Sequence, residues 1–169
     1  MKLGFIGTGN ISSDVITGIC NSKISFKRIV VSPRNKQKAQ KLKKKFKRVS
    51  IAKSNQDVID KSDWVFLGVV PKVGEKILPR LNFKTNQTIV SFISTINYAQ
   101  LKKIVKKKAK IVRAIPMPPI SLGKGPVPIF PPDKKVKNFF DKIGTTIEIK
   151  SEKLSKNFWA ISGSMASFY

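Results

Sequence analysis

A glycine turn close to the amino terminus carries the strongest chemical signal in the sequence. Residues 7–12 read Gly-Thr-Gly-Asn-Ile-Ser and lie between an apolar run that predicts a strand and a segment with apolar residues at helical spacing. In this setting the first glycine permits a tight turn, and the second lets the main chain approach a pyrophosphate at the positive helix N-terminus. The pattern predicts a dinucleotide site formed by Gly7, Thr8, Gly9, Asn10 and Ile11.

The third small position of this turn is Ser12, where glycine or alanine is usual. A serine is small enough for the helix to pack closely on the strand, but it weakens the match. An ordinary strand-to-helix turn without a ligand is the alternative interpretation. The chain after the turn repeats short apolar runs and helical patterns, and this context favours nucleotide binding.

The end of the second predicted strand, about 20 residues after the turn, indicates which cofactor is bound. An enzyme that uses NAD places Asp or Glu there to accept from the ribose, but no acidic residue occurs between Asp14 and Asp57. The sequence instead offers Ser32, Arg34 and Asn35 as donors for a 2′-phosphate, which predicts NADP. The alternative is that Arg34 is one more basic surface residue among 34.

The elements that position these residues alternate in type along most of the chain. Apolar runs predict strands over residues 2–6, 28–31, 49–52, 64–70, 88–92 and 110–115. Helical spacing and capping residues predict helices between them, including residues 36–47, 55–61 and 73–81 and a helix opened by Asn97. Repeated strand–helix units predict an α/β protein whose mainly parallel sheet is covered by helices on both faces.

The texture of the sequence changes after Ile115. Proline and glycine crowd residues 116–132, which predicts a loop or a sheet edge and not a helix. A helix over 134–142, a strand over 146–149 and a final helix from Ser151 are predicted to follow. We expect one domain over residues 1–150 and the start of a second over residues 151–169, because the last segment is apolar and helical where a chain terminus is usually polar.

The composition excludes several classes of chemistry. The chain has 169 residues and no histidine, which removes Ser-His-Asp and Cys-His nucleophiles and His-rich zinc sites. Its one cysteine, Cys20, excludes internal disulfides and cysteine-cluster metal sites, so no metal is expected and Cys20 is interpreted as a small buried hydrophobe. Asp57, Asp60 and Asp63 have a spacing typical of a solvated helix face, which argues against paired-carboxylate hydrolysis.

The net charge of +25 comes from 34 basic and 9 acidic residues, with lysines concentrated in residues 36–47 and 102–110. Solvated faces explain such runs, and nucleic-acid binding is not favoured because no zinc-finger or RNA-recognition signature accompanies the charge and no stacking aromatics are interleaved with it. Binding of polyanions through the lysines is a minor alternative. The glycine turn interrupts the first apolar run and no stretch approaches a membrane span, so we expect a cytoplasmic protein without a signal peptide.

Five segments, in the same order along the chain, resemble the pyrroline-5-carboxylate reductase family: GFIGTGNISSDVITGI, VSPRNKQKAQKL, DWVFLGVVPK, VRAIPMPPISLGKG and ISGSMASFY. The resemblance covers essentially the whole chain and is more specific than the glycine turn alone. It implies a Rossmann-type domain that binds NADPH, followed by a helical dimerisation domain that forms a homodimer or a higher homo-oligomer. It also implies hydride transfer to the C=N carbon of a cyclic imine carboxylate, the last step of proline biosynthesis.

The resemblance assigns residues beyond the glycine turn. Those that follow two of the predicted strands are expected beside the cofactor: Val69, Val70, Pro71, Ala114, Pro116 and Met117. The last three would approach the nicotinamide. Ser162, Gly163 and Ser164 would donate to the substrate carboxylate, with a close helix contact through small residues as the alternative. No catalytic residue is assigned, because a protonated imine is already electrophilic and the cofactor carries the difficult step.

Several positions depart from the family's pattern. The family's Pro-Asn-Thr-Pro is Pro-Met-Pro-Pro at residues 116–119, its Val-Lys-Pro is Val-Val-Pro at 69–71, and its Ala-Gly is Ser94-Thr95. Its Gly-Pro-Ala-Tyr is Met-Ala-Ser-Phe at residues 165–168. These changes lie on the substrate and nicotinamide side. A reductase of a different small imine or ketone, and an NADP-binding homologue without catalysis, are therefore open alternatives.

Overall fold

Short apolar strands alternate with helices along the chain, and a computed structural model describes residues 1–106 and 108–154. The strands are β1 Lys2–Ile6, β2 Arg28–Val31, β3 Val49–Ile51, β4 Trp64–Leu67, β5 Thr88–Ser91, β6 Lys110–Ala114, β7 Pro126–Phe130 and β8 Thr145–Glu148. The α-helices are α1 Asn10–Asn21, α2 Lys36–Lys45, α3 Asn55–Asp60, α4 Pro71–Ile77, α5 Tyr98–Val105 and α6 Lys134–Phe140. Two 3₁₀ helices cover Leu78–Arg80 and Pro118–Leu122.

All eight strands form one sheet in the order β3-β2-β1-β4-β5-β6-β7-β8. The first six strands are parallel, β7 is antiparallel to β6, and β8 is parallel to β7. The chain adds β2 and β3 on one side of β1 and then crosses back to place β4 on the other side. Ligands of such sheets bind where the strand order reverses, outside the carboxyl ends of the strands. The predicted mainly parallel α/β sheet is confirmed.

Each central strand contributes side chains to both faces of the sheet, because successive residues of a strand point in opposite directions. Phe5, Phe66 and Val90 belong to the apolar cluster that α1, α2 and α6 cover, and the rings of Phe5 and Phe66 stack with centroids 4.5 Å apart. Leu67 and Ile89 belong to the cluster on the other face, which α3 and α5 cover. Burial on both faces explains why the central strands are continuous apolar runs.

Side-chain caps fix where several helices begin. Asn97 accepts from the Gln100 backbone N–H at 2.9 Å, and the Gln100 side chain accepts from the Asn97 N–H at 2.8 Å, which forms a capping box. The prediction that Asn97 opens a helix is confirmed. Ser54 caps α3 and Asp133 caps α6, and each side chain accepts from a backbone N–H of the first turn.

The predicted strand over residues 64–70 was too long. β4 ends at Leu67, because its two neighbours also end there: Ile6 of β1 and Ser91 of β5 are the register partners of Leu67. Pro71 is the first residue of α4 and not only a strand terminator, since proline suits the first helical position, where no donor is needed. Residues 68–70 therefore form a connection at the carboxyl edge of the sheet.

The proline-rich segment is more regular than predicted. Residues 118–122 form a 3₁₀ helix, and β7 is an inner strand between β6 and β8, so the prediction of a loop or sheet edge without a helix was wrong. Pro128 accepts from Ile115 on the β6 side, whereas Ile129 accepts from Ile149 on the β8 side. The proline nitrogens, which have no hydrogen to donate, therefore face β6, with which β7 pairs over a short length. The pairing of β7 with β8 is left intact.

Candidate functional site

A cavity of about 600 Å³ lies at the carboxyl edge of the sheet, between the turn after β1 and the segment after β4. We call it the β1–β4 crevice. It is lined by Gly7, Thr8, Gly9, Ser32, Arg34, Asn35, Lys36, Gln37, Asn55, Gly68, Val69, Val70, Val73 and Ile77. The crevice thus lies at the reversal of strand order, where an α/β sheet of this type binds its ligands.

Gly7 makes the turn after β1 possible. Its φ of +98° is a conformation that side chains disfavour, and a Cβ at this position would lie 2.3 Å from the carbonyl oxygen of Gly68. The Gly7 N–H donates to Ser32 Oγ at 2.9 Å. The turn is therefore held between the connection after β4 on one side and the end of β2 on the other.

Gly9 has a different reason to be glycine. It precedes α1 in an extended conformation, and a Cβ there would meet only the Gly68 carbonyl oxygen, at an ordinary distance of 3.8 Å. Packing within the described residues therefore does not demand a glycine at this position. The missing side chain leaves the backbone accessible from the crevice, which is what close approach of a phosphate requires.

The N-terminus of α1 suits an anion. No side chain within the described residues caps it, and its first turn contains no acidic residue, so its first backbone donors are not occupied by a cap. Asp14, one turn further on, is half-buried; burial raises the pKa of its carboxyl group, while the Lys38 ammonium acts in the opposite direction. Lys38 also donates from Nζ to Asn10 Oδ1 at the start of the helix.

Two hydroxyl groups at this turn are buried without a partner. Thr8 is 3% exposed and Ser12 is fully buried, and neither Thr8 Oγ1 nor Ser12 Oγ has a hydrogen-bond partner within the described residues. Ser12 lies against Gly68, where a Cβ would be 2.0 Å from Ser12 Oγ. Close packing of α1 on the strand layer is therefore kept with serine at the third position. Because Thr8 lines the crevice, its unpaired hydroxyl fits a site built for a polar ligand.

The end of β2 forms the second wall of the crevice. Ser32 is buried and ties this wall to the glycine turn by accepting from Gly7. Asn35 caps α2 because its Oδ1 atom accepts from the Lys38 N–H at 3.1 Å, so the side-chain amide N–H groups of Asn35 are left to donate to other groups. Arg34 is exposed and lines the crevice, which leaves its guanidinium accessible. The three predicted 2′-phosphate donors therefore lie on one rim.

The structure brings eight of the fourteen predicted cofactor-binding residues to the lining of the β1–β4 crevice. Predicted residues that do not line it are Asn10, Ile11, Pro71, Ala114, Pro116 and Met117. Ala114 and Pro116 are buried, and Met117 is partly exposed, two strands further along the same edge. Ser162, Gly163 and Ser164 lie outside the described residues.

Besides Lys36, five lining residues were missed by reasoning from the sequence: Gln37, Asn55, Gly68, Val73 and Ile77. Gln37 follows Lys36 in the first turn of α2, and Gly68 and Asn55 follow β4 and β3 respectively. The parallel pairing of β3 with β2 brings the start of α3 to the same edge, which explains why Asn55 reaches the crevice. Asn55 lies just after the strand predicted over residues 49–52, whereas Gly68 was hidden inside the strand predicted over residues 64–70.

Residues excluded from catalysis by the sequence lie away from the crevice lining. Asp57 accepts from the Lys53 N–H and pairs with Lys61, and these contacts lower the pKa of its carboxyl group. Cys20 is half-buried and not fully buried as predicted, and burial raises the pKa of its thiol to about 11. Within residues 1–106 and 108–154, no cluster of three potential metal ligands occurs, and no helix is long and apolar enough to cross a membrane.

The fold and the crevice define a Rossmann-type α/β domain with an anion-compatible glycine turn. Comparison with known proteins gives the family: residues 2–98, more than half of the chain, match the family described as NADP oxidoreductase coenzyme F420-dependent. The chain belongs to this family.

Comparison with individual relatives confirms the predicted resemblance to pyrroline-5-carboxylate reductases. Pyrroline-5-carboxylate reductase 3 of Danio rerio is 30% identical over 128 residues, which are 74% of this chain and 44% of the relative. The solved 1-pyrroline-5-carboxylate reductase of Streptococcus pyogenes is 27% identical, with a TM-score of 0.80 over 99% of this chain and 65% of that one. The Plasmodium falciparum pyrroline carboxylate reductase with NADP bound shares the fold at 24% identity, with a TM-score of 0.83 over 99% of this chain and 64% of that one. The chain thus spans less than two thirds of the length of these relatives.

Proposed function

We propose that this chain is the cofactor-binding part of an NADPH-dependent reductase that acts on the C=N bond of a cyclic imine carboxylate, as pyrroline-5-carboxylate reductases do. The observation that carries the proposal is the geometry of the β1–β4 crevice. An uncapped helix N-terminus, a glycine without steric need and an exposed arginine face one cavity at the reversal of strand order.

The diphosphate of the cofactor is proposed to lie on the turn after β1. Gly9 offers its backbone at close range, and Thr8 offers a buried hydroxyl that lacks a partner within the described residues. The first turn of α1 adds backbone donors and the positive end of the helix dipole. These groups together suit a doubly charged anion.

The adenosine ribose and its 2′-phosphate are proposed to lie on the rim formed by the end of β2. Arg34 would pair with the phosphate through its planar guanidinium, and Ser32 and Asn35 would contribute hydroxyl and amide donors. Lys36 and Asn55 line the same cavity and add a positive charge and an amide. Because no carboxylate lines the crevice among the described residues, the rim favours NADP over NAD.

The nicotinamide half is proposed to extend along the carboxyl edge past β4 and β5 toward Ala114, Pro116 and Met117, with Val69, Val70 and Pro71 between. Three strand spacings separate β1 from β6, which is about 14 Å at ~4.8 Å per spacing. When bound, the reduced nicotinamide supplies a hydride, so the protein needs only to orient the imine and hold its carboxylate. Ser162, Gly163 and Ser164 are proposed as the carboxylate donors.

The whole protein is proposed to be a cytoplasmic homodimer or higher homo-oligomer of proline biosynthesis, with residues 1–150 as cofactor domain and residues 151–169 as the start of a helical domain. The length of the relatives supports the second domain, since this chain spans 44% to 65% of them. Polar residues that the family places near the nicotinamide are apolar here, which motivates the second candidate, an NADP-binding homologue without turnover.

Calorimetric titration with NADPH and NADH tests the proposal. We expect tighter binding of NADPH, and a loss of NADPH affinity of roughly 10-fold to 100-fold in Arg34→Ala with little change for NADH, because charge-assisted hydrogen bonds to the 2′-phosphate are lost. The matched control is Arg80→Ala, which removes an exposed arginine outside the crevice lining. Equal affinity for the two cofactors in the unaltered protein would refute the phosphate assignment.

Turnover separates the two candidates. The full-length protein, saturated with NADPH, should reduce pyrroline-5-carboxylate with a loss of absorbance at the nicotinamide band. NADPH binding without reduction of any cyclic imine would favour the homologue without catalysis.

A further inference from the structure

A buried arginine lies at the carboxyl end of β6, outside the lining of the β1–β4 crevice. Arg113 is 2% exposed, and its guanidinium donates to Glu152 Oε1 at 2.9 Å and to the Ser94 carbonyl oxygen at 2.6 Å. Arginine is rarely buried to this extent unless it is paired. The planar, forked guanidinium holds two partners from different segments in fixed directions, which a lysine cannot do.

The carboxylate of Glu152 joins a third element to this ion pair. The same Oε1 atom accepts from the backbone N–H of Tyr98, the first residue of α5, at 2.7 Å. The ring of Tyr98 lies edge-on to that of Phe130 in β7, with centroids 5.8 Å apart. One carboxylate oxygen therefore connects β6, the start of α5 and the segment after β8.

These contacts lie at one particular place on the sheet. Residues 92–97 connect β5 to α5, and residues 114–117 follow Arg113 directly, so both segments leave the sheet at its carboxyl edge. We call these two segments the β5–β6 edge. An extended dinucleotide whose diphosphate lies on the turn after β1 reaches this edge with its other half. Ser94, the carbonyl partner of Arg113, belongs to this edge.

Because Arg113 is buried, its charge needs an oppositely charged partner close by. Burial lowers the pKa of Arg113, while the negative charge and the hydrogen bond of Glu152 raise it. An arginine stays protonated in proteins, so its charge persists and needs an opposite charge nearby. Buried pairs of this kind contribute little net stability compared with apolar packing, and in some proteins they serve to fix a geometry.

We propose that Arg113 and Glu152 are positioning residues that hold the β5–β6 edge in place for the nicotinamide half of the cofactor and tie this edge to the segment after β8. The inference rests on the proposed function. It predicts that breaking the pair misplaces the reacting ring while the diphosphate and 2′-phosphate contacts, at the other end of the cofactor, stay intact.

Two variants of the full-length protein test the inference. Glu152→Ala removes the shared acceptor, and Glu152→Gln keeps an oxygen in place without the charge. The side chain of Glu152 is 30% exposed, so both changes avoid opening the apolar core. The matched control is Lys110→Met, which removes an ion pair with Asp133 at the opposite end of the same strand, where Lys110 is 44% exposed.

The readouts separate positioning from folding and binding. In Glu152→Ala we expect kcat to fall roughly 10-fold to 100-fold, as for a misplacement of the reacting ring by about 1 Å. The KM for the imine substrate and the affinity for NADPH should stay within about 3-fold of the values of the unaltered protein. Fluorescence of the bound reduced nicotinamide should shift toward that of free NADPH, and hydrogen exchange of the Tyr98 amide should quicken at least tenfold. Glu152→Gln should restore part of each effect, and Lys110→Met should show none.

The outcomes distinguish the two levels of the argument. If the unaltered protein binds and turns over but Glu152→Ala behaves like Lys110→Met, the inference is wrong and the proposed function stands. If NADPH does not bind the unaltered protein, the proposed function fails and takes the inference with it. Should Glu152→Ala fail to fold, Glu152→Gln decides: unchanged kcat and unchanged nicotinamide fluorescence would overturn the inference.

Discussion

The β1–β4 crevice and the β5–β6 edge lie on the same side of one sheet but are built by different means. In the crevice the decisive features are in the backbone: a φ of +98° at Gly7, a glycine without steric need at Gly9, and the uncapped start of α1. At the β5–β6 edge they are side chains, with Arg113 and Glu152 holding segments that are distant in sequence.

The difference concerns how far apart in sequence the cooperating residues lie. The turn after β1 is made by six consecutive residues, so it can be recognised by its local pattern. Arg113 and Glu152 are 39 residues apart, and Ser94 is 19 residues from Arg113. At the edge the Arg113 guanidinium donates to Glu152 and to Ser94, whereas two hydroxyl groups at the turn have no partner within residues 1–106 and 108–154. The turn therefore leaves polar groups for a ligand, whereas the side chains at the edge bind other parts of the protein.

Adding one methyl group at the glycine turn and one at a glycine outside both regions gives the sharpest contrast. Gly7→Ala should lower the free energy of unfolding by about 3 kcal/mol, because left-handed backbone strain adds to a collision with Gly68. Gly123→Ala, after the 3₁₀ helix that follows the β5–β6 edge, should lower it by about 1 kcal/mol, since its φ is +71° but no atom lies within 4 Å. Urea unfolding measures both; similar losses would contradict the close approach at Gly7.

Gly9→Ala tests whether the crevice is shaped for a ligand and not for packing. We expect the free energy of unfolding to change by less than about 1 kcal/mol, because the added Cβ meets only an ordinary contact at 3.8 Å. NADPH affinity should fall roughly tenfold or more, because the methyl group occupies the approach to the backbone. Calorimetry with Gly123→Ala as control measures the effect; unchanged affinity would place the diphosphate elsewhere.

The smallest expected change concerns Ser12, whose hydroxyl has no partner in the described part of the chain. Ser12→Ala should raise the free energy of unfolding by about 1 kcal/mol, because it removes a buried donor that has no partner among the described residues and improves helix propensity. The control, Ser62→Ala, removes a buried hydroxyl that donates to the Val58 carbonyl at 2.7 Å and should lower it by about 1 kcal/mol. Thermal unfolding compares the two; destabilisation by both would mean that Ser12 has a partner after all.

Periodicity predicted most of the fold because strands that are buried on both faces of a parallel sheet are continuous apolar runs in the sequence. β1 and β2 were predicted to the residue, and Asn97 was predicted as the residue that opens its helix. The errors have a common cause. The end of β4 depends on where β1 and β5 end, and the inner position of β7 depends on which neighbouring strand its prolines face. The local sequence of β4 or of β7 determines neither feature.

The sequence by itself determined the glycine turn, the basic rim at the end of β2 and the alternation of strands and helices, because each depends on residues close together in the chain. Only the tertiary structure decided that Asn55 and Gly68 complete the β1–β4 crevice and that Glu152 meets Arg113 and Tyr98. Those contacts follow from strand order and from which segments meet at the carboxyl edge. A buried charge must find its partner in space, and nothing in the local pattern of either residue specifies which partner that is.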